Sequence, residues 1–158
     1  MIDQTNKLEQ TKQEIKSVKQ DYIFAIGRRK SSTAQARLYK KDTVVWGATV
    51  KKGEVFVNNK PALAYFGKSF EGAYREPLQA TGTENKFAIS IKVSGGGKMG
   101  QLEASVLAMA RALDKVDREK FHSILKKKGM LTRDPRVRER RKVGMGGKSR
   151  RRKQSPKR

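Results

Sequence analysis

Residues 126–158 carry 16 basic side chains against two acidic ones. Their large apolar residues are only Met130, Leu131, Val137, Val143 and Met145. A stretch with so little to bury cannot offset its own ordering entropy. It is expected to be an extended tail that orders against a partner, so the folded part must be built from residues before it. Over all 158 residues, 38 Lys and Arg face 15 Asp and Glu, a net charge of +23. Residues 22–125 hold 18 basic and nine acidic side chains, and residues 1–21 hold four of each. A surplus this large repels itself unless a polyanion accompanies it, which makes nucleic acid the first candidate partner and an anionic membrane the second. The membrane reading is the weaker one. No apolar stretch approaches the roughly 20 residues of a span, and the tail lacks the amphipathic aromatic face that surface binding uses.

The chain has no cysteine, and His122 is its only histidine. These counts exclude disulfide scaffolds, thiolate zinc sites, cysteine nucleophiles and histidine metal clusters. No metal or cofactor is expected. Asp114, Asp117 and Glu119, and likewise Glu71 and Glu76, read as helix-surface or capping charges among Lys and Arg rather than as acid–base pairs. His122 reads as a surface residue of a basic helix. Residues 1–21 have neither the apolar core of a secretory signal nor the arginines of a transit peptide. They read as an N-terminal extension, either a frayed helix or disordered.

Residues 22–128 read as one globular domain, followed by the tail over 129–158. Tyr22 to Ile26 is a short apolar strand ending at Gly27. Thr33 to Tyr39 alternates, with Ala34, Ala36 and Leu38 on one face. Val44 to Trp46 is either a short strand or the flank of a turn. Glu54 to Val57 enters a turn at Asn58-Asn59, and Pro61 opens a helical turn over Ala62 to Phe66. Residues 68–82 suggest a short helix ending before Pro77. Phe87, Ile89, Ile91 and Val93 define the clearest strand. Leu102, Val106, Met109, Ala110 and Leu113 define the clearest helix, about Gly100 to Val116. Asp117 is placed to cap a further helix that stops at Gly129. The expected fold is α+β: a small two-layer domain, one mixed sheet covered by helices, with a long basic extended C-terminal tail.

Two segments carry binding chemistry. Gly95, Gly97 and Gly100 spell G-x-G-x-x-G between a strand and a helix. That is the local setting of a dinucleotide fingerprint. The second strand and its acidic ribose ligand are missing, because Asp117-Arg118-Glu119-Lys120 and another helical pattern follow. Two readings remain: a plain glycine turn, or a backbone cradle that meets an RNA phosphate at a helix start with Lys98 beside it. Gly27-Arg28-Arg29-Lys30-Ser31-Ser32 reads as a loop between strands, with a glycine for a tight turn and three cations suited to phosphate.

Those two segments, with Ala110-Arg111-Ala112-Leu113, the run Lys127 to Arg136 that includes Leu131-Thr132-Arg133-Asp134, and Glu139-Arg140-Arg141-Lys142-Val143-Gly144, resemble one family in order and spacing. It is the bacterial-type small-subunit ribosomal protein number nine, and the resemblance covers about residues 22–158. It implies a compact α+β domain on the head of the small subunit, bound to small-subunit ribosomal RNA beside neighbouring head proteins. It also implies a ribosome-bound, cytoplasmic location, no enzymatic activity and no homo-oligomer. The family's tail threads through rRNA, and its terminal basic pair approaches the peptidyl-site tRNA; Lys157 and Arg158 match that pair. Lys153-Gln154-Ser155-Pro156 departs from the family's usual Pro-Gln-Phe-Ser approach, so the aromatic ring is missing there while the register is kept. The expected rRNA contacts are Arg28, Arg29, Lys30, Arg37, Gly95, Gly96, Gly97 and Lys98 in the domain. In the tail they are Arg133, Arg136, Arg138, Arg140, Arg141 and Lys142, then Arg150, Arg151, Arg152 and Lys153.

Overall fold

A computed structural model of the chain describes residues 22–138. Seven strands are formed: β1 (Tyr22–Arg29), β2 (Ser32–Tyr39), β3 (Thr43–Val45), β4 (Ala48–Val50), β5 (Val55–Val57), β6 (Lys60–Pro61) and β7 (Ala88–Ser94). The helices are α1 (Ala62–Phe66), a 3₁₀ turn (Lys68–Phe70), α2 (Glu71–Thr81), α3 (Lys98–Val116) and α4 (Arg118–Lys127). Five strands make one mixed sheet in the order β1-β2-β7-β5-β6, in which β5 and β7 run parallel and the other neighbours antiparallel. The expected α+β two-layer architecture is what forms.

The period-2 residues of the central strands supply the core. Ala34, Ala36 and Leu38 of β2 and Ile89, Ile91 and Val93 of β7 are buried against Leu102, Ala104, Ala108, Met109 and Leu113 of α3. The small residues on β1 let α3 come close. A Cβ on Gly27 would overlap the Ala104 carbonyl oxygen, so this glycine serves helix–sheet contact and not the tight turn read from the sequence. β1 also runs on through Arg29 rather than ending at Gly27. As an edge strand it exposes backbone carbonyls, and α3 covers two of them. Arg111 Nη1 donates to Ile26 O at 3.0 Å and Lys115 Nζ to Phe24 O at 2.8 Å. An edge occupied by cations is a poor template for pairing with another chain.

One other expectation is corrected. Helix α2 does not end before Pro77 but passes through it to Thr81. Burial of Tyr74, Pro77 and Leu78 in the core outweighs the roughly 3 kcal/mol that an interior proline costs. The Thr81 hydroxyl, donating to Pro77 O at 2.9 Å, closes the last turn. One further element lies outside the two layers. The β3–β4 hairpin folds onto the opposite face, where Val45 and Val50 pack on Ala88 beside Tyr39 and Phe56.

The final helices follow their caps. The Asp117 carboxylate accepts from Lys120 N–H at 3.2 Å at the start of α4. At its end Gly129 takes φ +70°. Gly129 N–H reaches Lys126 O and Met130 N–H reaches Leu125 O, and Met130 is buried in the same cluster as Leu125. This Schellman arrangement turns the chain back toward the domain instead of releasing it.

Candidate nucleic-acid interface

The two segments singled out in the sequence lie 63 or more residues apart, and the sheet brings them together. β2 pairs with β7 so that Thr33 opposes Ser94. The β1–β2 turn at Lys30-Ser31 therefore sits against the glycine loop that follows β7. The Ser32 hydroxyl donates to Gly95 O at 3.1 Å, and Gln101 Nε2 donates to the same oxygen at 3.1 Å. Gly95 and Gly96 have φ +71° and +62°. A Cβ on Gly95 would stand 2.6 Å from Ser31 O, and one on Gly96 would overlap Ser32 Oγ. Left-handed backbone and close approach together demand glycine here.

The helix α3 starts at Lys98 with Gly97 as its N-cap, and no side chain caps its first turn. Lys98 is exposed, as are Arg28 and Lys30 across the turn. A helix start that no side chain caps and three cations at one end of the sheet make a rim suited to phosphate. The dinucleotide reading has no support in the topology. α3 leads into α4 and not into a further parallel strand, so the second half of a nucleotide-binding βαβ unit is missing among the described residues.

The third cation of the first segment behaves differently. With strands running through residues 29 and 32, the loop shrinks to Lys30-Ser31, and strand alternation sends Arg28 and Arg29 to opposite faces. Arg28 faces solvent. Arg29 points inward and its side chain is only 10% exposed. Its guanidinium pairs with Glu103 of α3, donates to Asp134 Oδ2 at 3.0 Å, and donates to Arg136 O at 2.9 Å. Arg29 thus ties residues 134–136 to β1 and α3. The Asp134 carboxyl is held well below the usual carboxylate range, first by hydrogen bonds from the Arg136 side chain and backbone, with the charge of Arg29 adding. The Arg136 guanidinium forks onto Asp134 at 2.9 Å and 2.5 Å. Arg133 and Arg138 are exposed on either side of this clasp, and Arg136 is exposed within it.

Arg37 lies away from the rim, on the sheet face opposite α3, with its guanidinium 5.3 Å from the Tyr22 ring centre. Arg140, Arg141, Lys142, Arg150, Arg151, Arg152, Lys153, Lys157 and Arg158 lie outside the described residues, as do residues 1–21. Sequence reasoning missed the inward role of Arg29. The signal was available in period-2 alternation from Ala25 through Gly27, which puts residue 29 on the helix-facing side. Its partners, 74 and 105 residues further on, were not legible.

The fold and the rim define a class: a small basic α+β domain whose cationic surface is built on backbone turns and not around a catalytic pocket. Comparison with known proteins makes the class specific. The family model described as ribosomal protein S9/S16 matches residues 27–158. The small ribosomal subunit protein uS9 of Maridesulfovibrio salexigens is 40% identical over 128 residues, 80% of this chain and 90% of that protein. The uS9c protein of Mesostigma viride is 43% identical over 75% of this chain and 80% of its own length. The uS9 protein of Methylacidiphilum infernorum is 44% identical over 79% and 85%. The chain belongs to the ribosomal protein S9/S16 family. It is a structural constituent of the small ribosomal subunit and not an enzyme, and its place is on the ribosome.

Proposed function

We propose that the chain binds small-subunit rRNA through this rim and through its basic tail, beside neighbouring proteins of the subunit head, and that Lys157 and Arg158 touch the peptidyl-site tRNA. In this reading Arg28, Lys30 and Lys98 hold phosphates at the rim, with the Gly95, Gly96 and Gly97 backbone allowing close approach. Arg37 contacts RNA on the adjoining sheet face. Arg133, Arg136, Arg138, Arg140, Arg141 and Lys142 line the proximal tail path, and Arg150, Arg151, Arg152 and Lys153 the distal one. Arg29 serves the interface by positioning: it holds the root of the tail against the rim. The observation that supports the reading is this juxtaposition. Two basic turns from distant parts of the chain and the start of a basic tail share one end of the sheet, where RNA phosphates would release counterions on binding.

The test is sedimentation of the tagged full chain from lysate in magnesium and moderate salt, followed by cross-linking to RNA. The expected result is about one copy per small subunit, with cross-links from the rim and tail to the small-subunit rRNA. A slow-sedimenting pool spread over mixed RNAs would refute it.

A further inference from the structure

The β3–β4 hairpin holds the only tryptophan of the chain in a conformation that its turn does not favour. Val45 pairs with Ala48, so Trp46 and Gly47 form a two-residue turn. Both have positive φ, +53° and +78°. Such turns select Asn or Gly at the first position, and a bulky aromatic there is an outlier. The same fold has two further two-residue hairpin turns: Asn58 and Asn59 meet that demand in the usual way in one, and the unbranched Lys30, at φ +51°, takes the first position in the other. Turn formation therefore gives no reason for a tryptophan at residue 46.

Packing does not supply one either. The inward residues of the hairpin, Val45 and Val50, seat it on Ala88, Tyr39 and Phe56. Trp46 stays 37% exposed and Val44 68% exposed. Anchored strands thus present a partly exposed indole on a positive-φ backbone at the tip. Around the root stand Lys40 and Lys41 before β3 and Lys51 and Lys52 after β4, all exposed. The two nearby carboxylates are engaged by backbone: Asp42 accepts from Lys52 N–H at 2.9 Å and Glu54 from Lys51 N–H at 3.0 Å. Among the described residues, no ion pair neutralises the four ammonium groups. Root and tip are separated by the three residues of a strand, roughly 10 Å.

We propose that this hairpin is a second RNA contact, in which the Trp46 indole stacks on an unpaired nucleobase while Lys40, Lys41, Lys51 and Lys52 hold the flanking phosphates. A flat apolar ring at the tip with a cluster of cations at the root, roughly 10 Å away, fits a nucleotide strand, whose bases offer stacking faces between anionic groups. The site is separate from the rim. It lies at the Tyr39 end of β2, six residues from Thr33, or roughly 20 Å along the strand. It rests on the reading of the chain as an RNA-binding protein and adds single-stranded base recognition to it.

Trp46 reports on its own contact, because it is the only tryptophan. The full chain is titrated with a short unstructured oligouridylate and, separately, with an RNA duplex of equal length. The salt is raised until the phosphate contacts of the tail are weakened. The expected result is saturable quenching by the single strand and binding of the duplex without quenching. Trp46→Asn should lower affinity for the oligouridylate about thirty-fold, the middle of the range for one stacked base, and leave duplex affinity unchanged. Asparagine suits the turn, so this variant should unfold no earlier than the parent, and Trp46→Phe should recover most of the affinity. If both RNAs bind, neither quenches and Trp46→Asn binds the oligouridylate like the parent, the hairpin inference is overturned while the rim-and-tail reading stands. If the parent binds neither RNA, the broader reading fails and this one with it. Trp46 covered in assembled subunits by protein, with no base cross-linked to it, would also overturn the proposal.

Discussion

Replacing Arg29 by alanine removes one guanidinium that joins three parts of the molecule. In the parent it is buried on β1, paired with Glu103 on α3 and Asp134 beyond α4, and bonded to the Arg136 carbonyl. Breaking a fully buried pair costs about 3–5 kcal/mol. Glu103 and Asp134 are 48% and 31% exposed and regain water, so the cost falls to that of a charge-assisted hydrogen bond or two, about 2 kcal/mol. For a domain of about 100 residues this lowers the unfolding midpoint by roughly 10 °C. The loss should also be local: amides of residues 134–138 should exchange faster while those of β2 and β7 follow global stability. Arg29→Lys should recover less than half, because a point charge cannot reach three partners in one fork. The comparison is Arg28→Ala, its exposed neighbour, expected within about 0.5 kcal/mol of the parent. Urea unfolding of the full chain with hydrogen exchange decides it. If Arg29→Ala and Arg28→Ala unfold at the same denaturant concentration, with residues 134–138 unchanged, the clasp does not hold the tail root.

Gly27→Ala should destabilise the domain by about 2–3 kcal/mol in urea unfolding, since its methyl would overlap the Ala104 carbonyl of α3; an effect below about 0.5 kcal/mol would show that α3 moves aside freely. Arg28→Ala with Lys30→Ala should reduce the salt slope of rRNA binding by roughly one unit for each phosphate no longer neutralised, measured by filter binding; an unchanged slope places the β1–β2 turn away from RNA. Removing Lys157 and Arg158 should leave subunit assembly intact and weaken peptidyl-site tRNA binding, so equal tRNA affinity in truncated and complete subunits would defeat that assignment. The Asp134 carboxyl titrates below its ordinary range in the folded state. Its stabilising contribution is therefore present above the unfolded value near pH 3.9 and is lost only as pH falls further. The chemical shifts of residues 134–136 should hold steady from neutrality to about pH 4 and move below it; loosening already at about pH 6 would contradict the Arg136 and Arg29 contacts.

Local patterns in the chain carried much of this. Alternation at Ala34, Ala36 and Leu38 and at Ile89, Ile91 and Val93 located the core strands, and helical spacing from Leu102 to Leu113 located the helix laid on them. The Asp117 cap and the Gly129 stop were readable because capping depends on a few adjacent residues. Charge distribution marked the basic segments, since it needs no geometry at all. What needed tertiary structure was every contact between residues far apart in sequence. Whether Pro77 ends a helix depends on how deeply its neighbours are buried. Whether Gly27 bends a chain or admits a helix depends on what packs above it. Arg28 and Arg29 are chemically alike and adjacent, yet one faces solvent and the other closes a clasp with Glu103 and Asp134. The sequence alone determined that this chain is a basic α+β domain with cations to offer a polyanion. Only the fold decided which cations are free to meet one, because an arginine's role follows from the carboxylates that the packing of distant elements brings within reach.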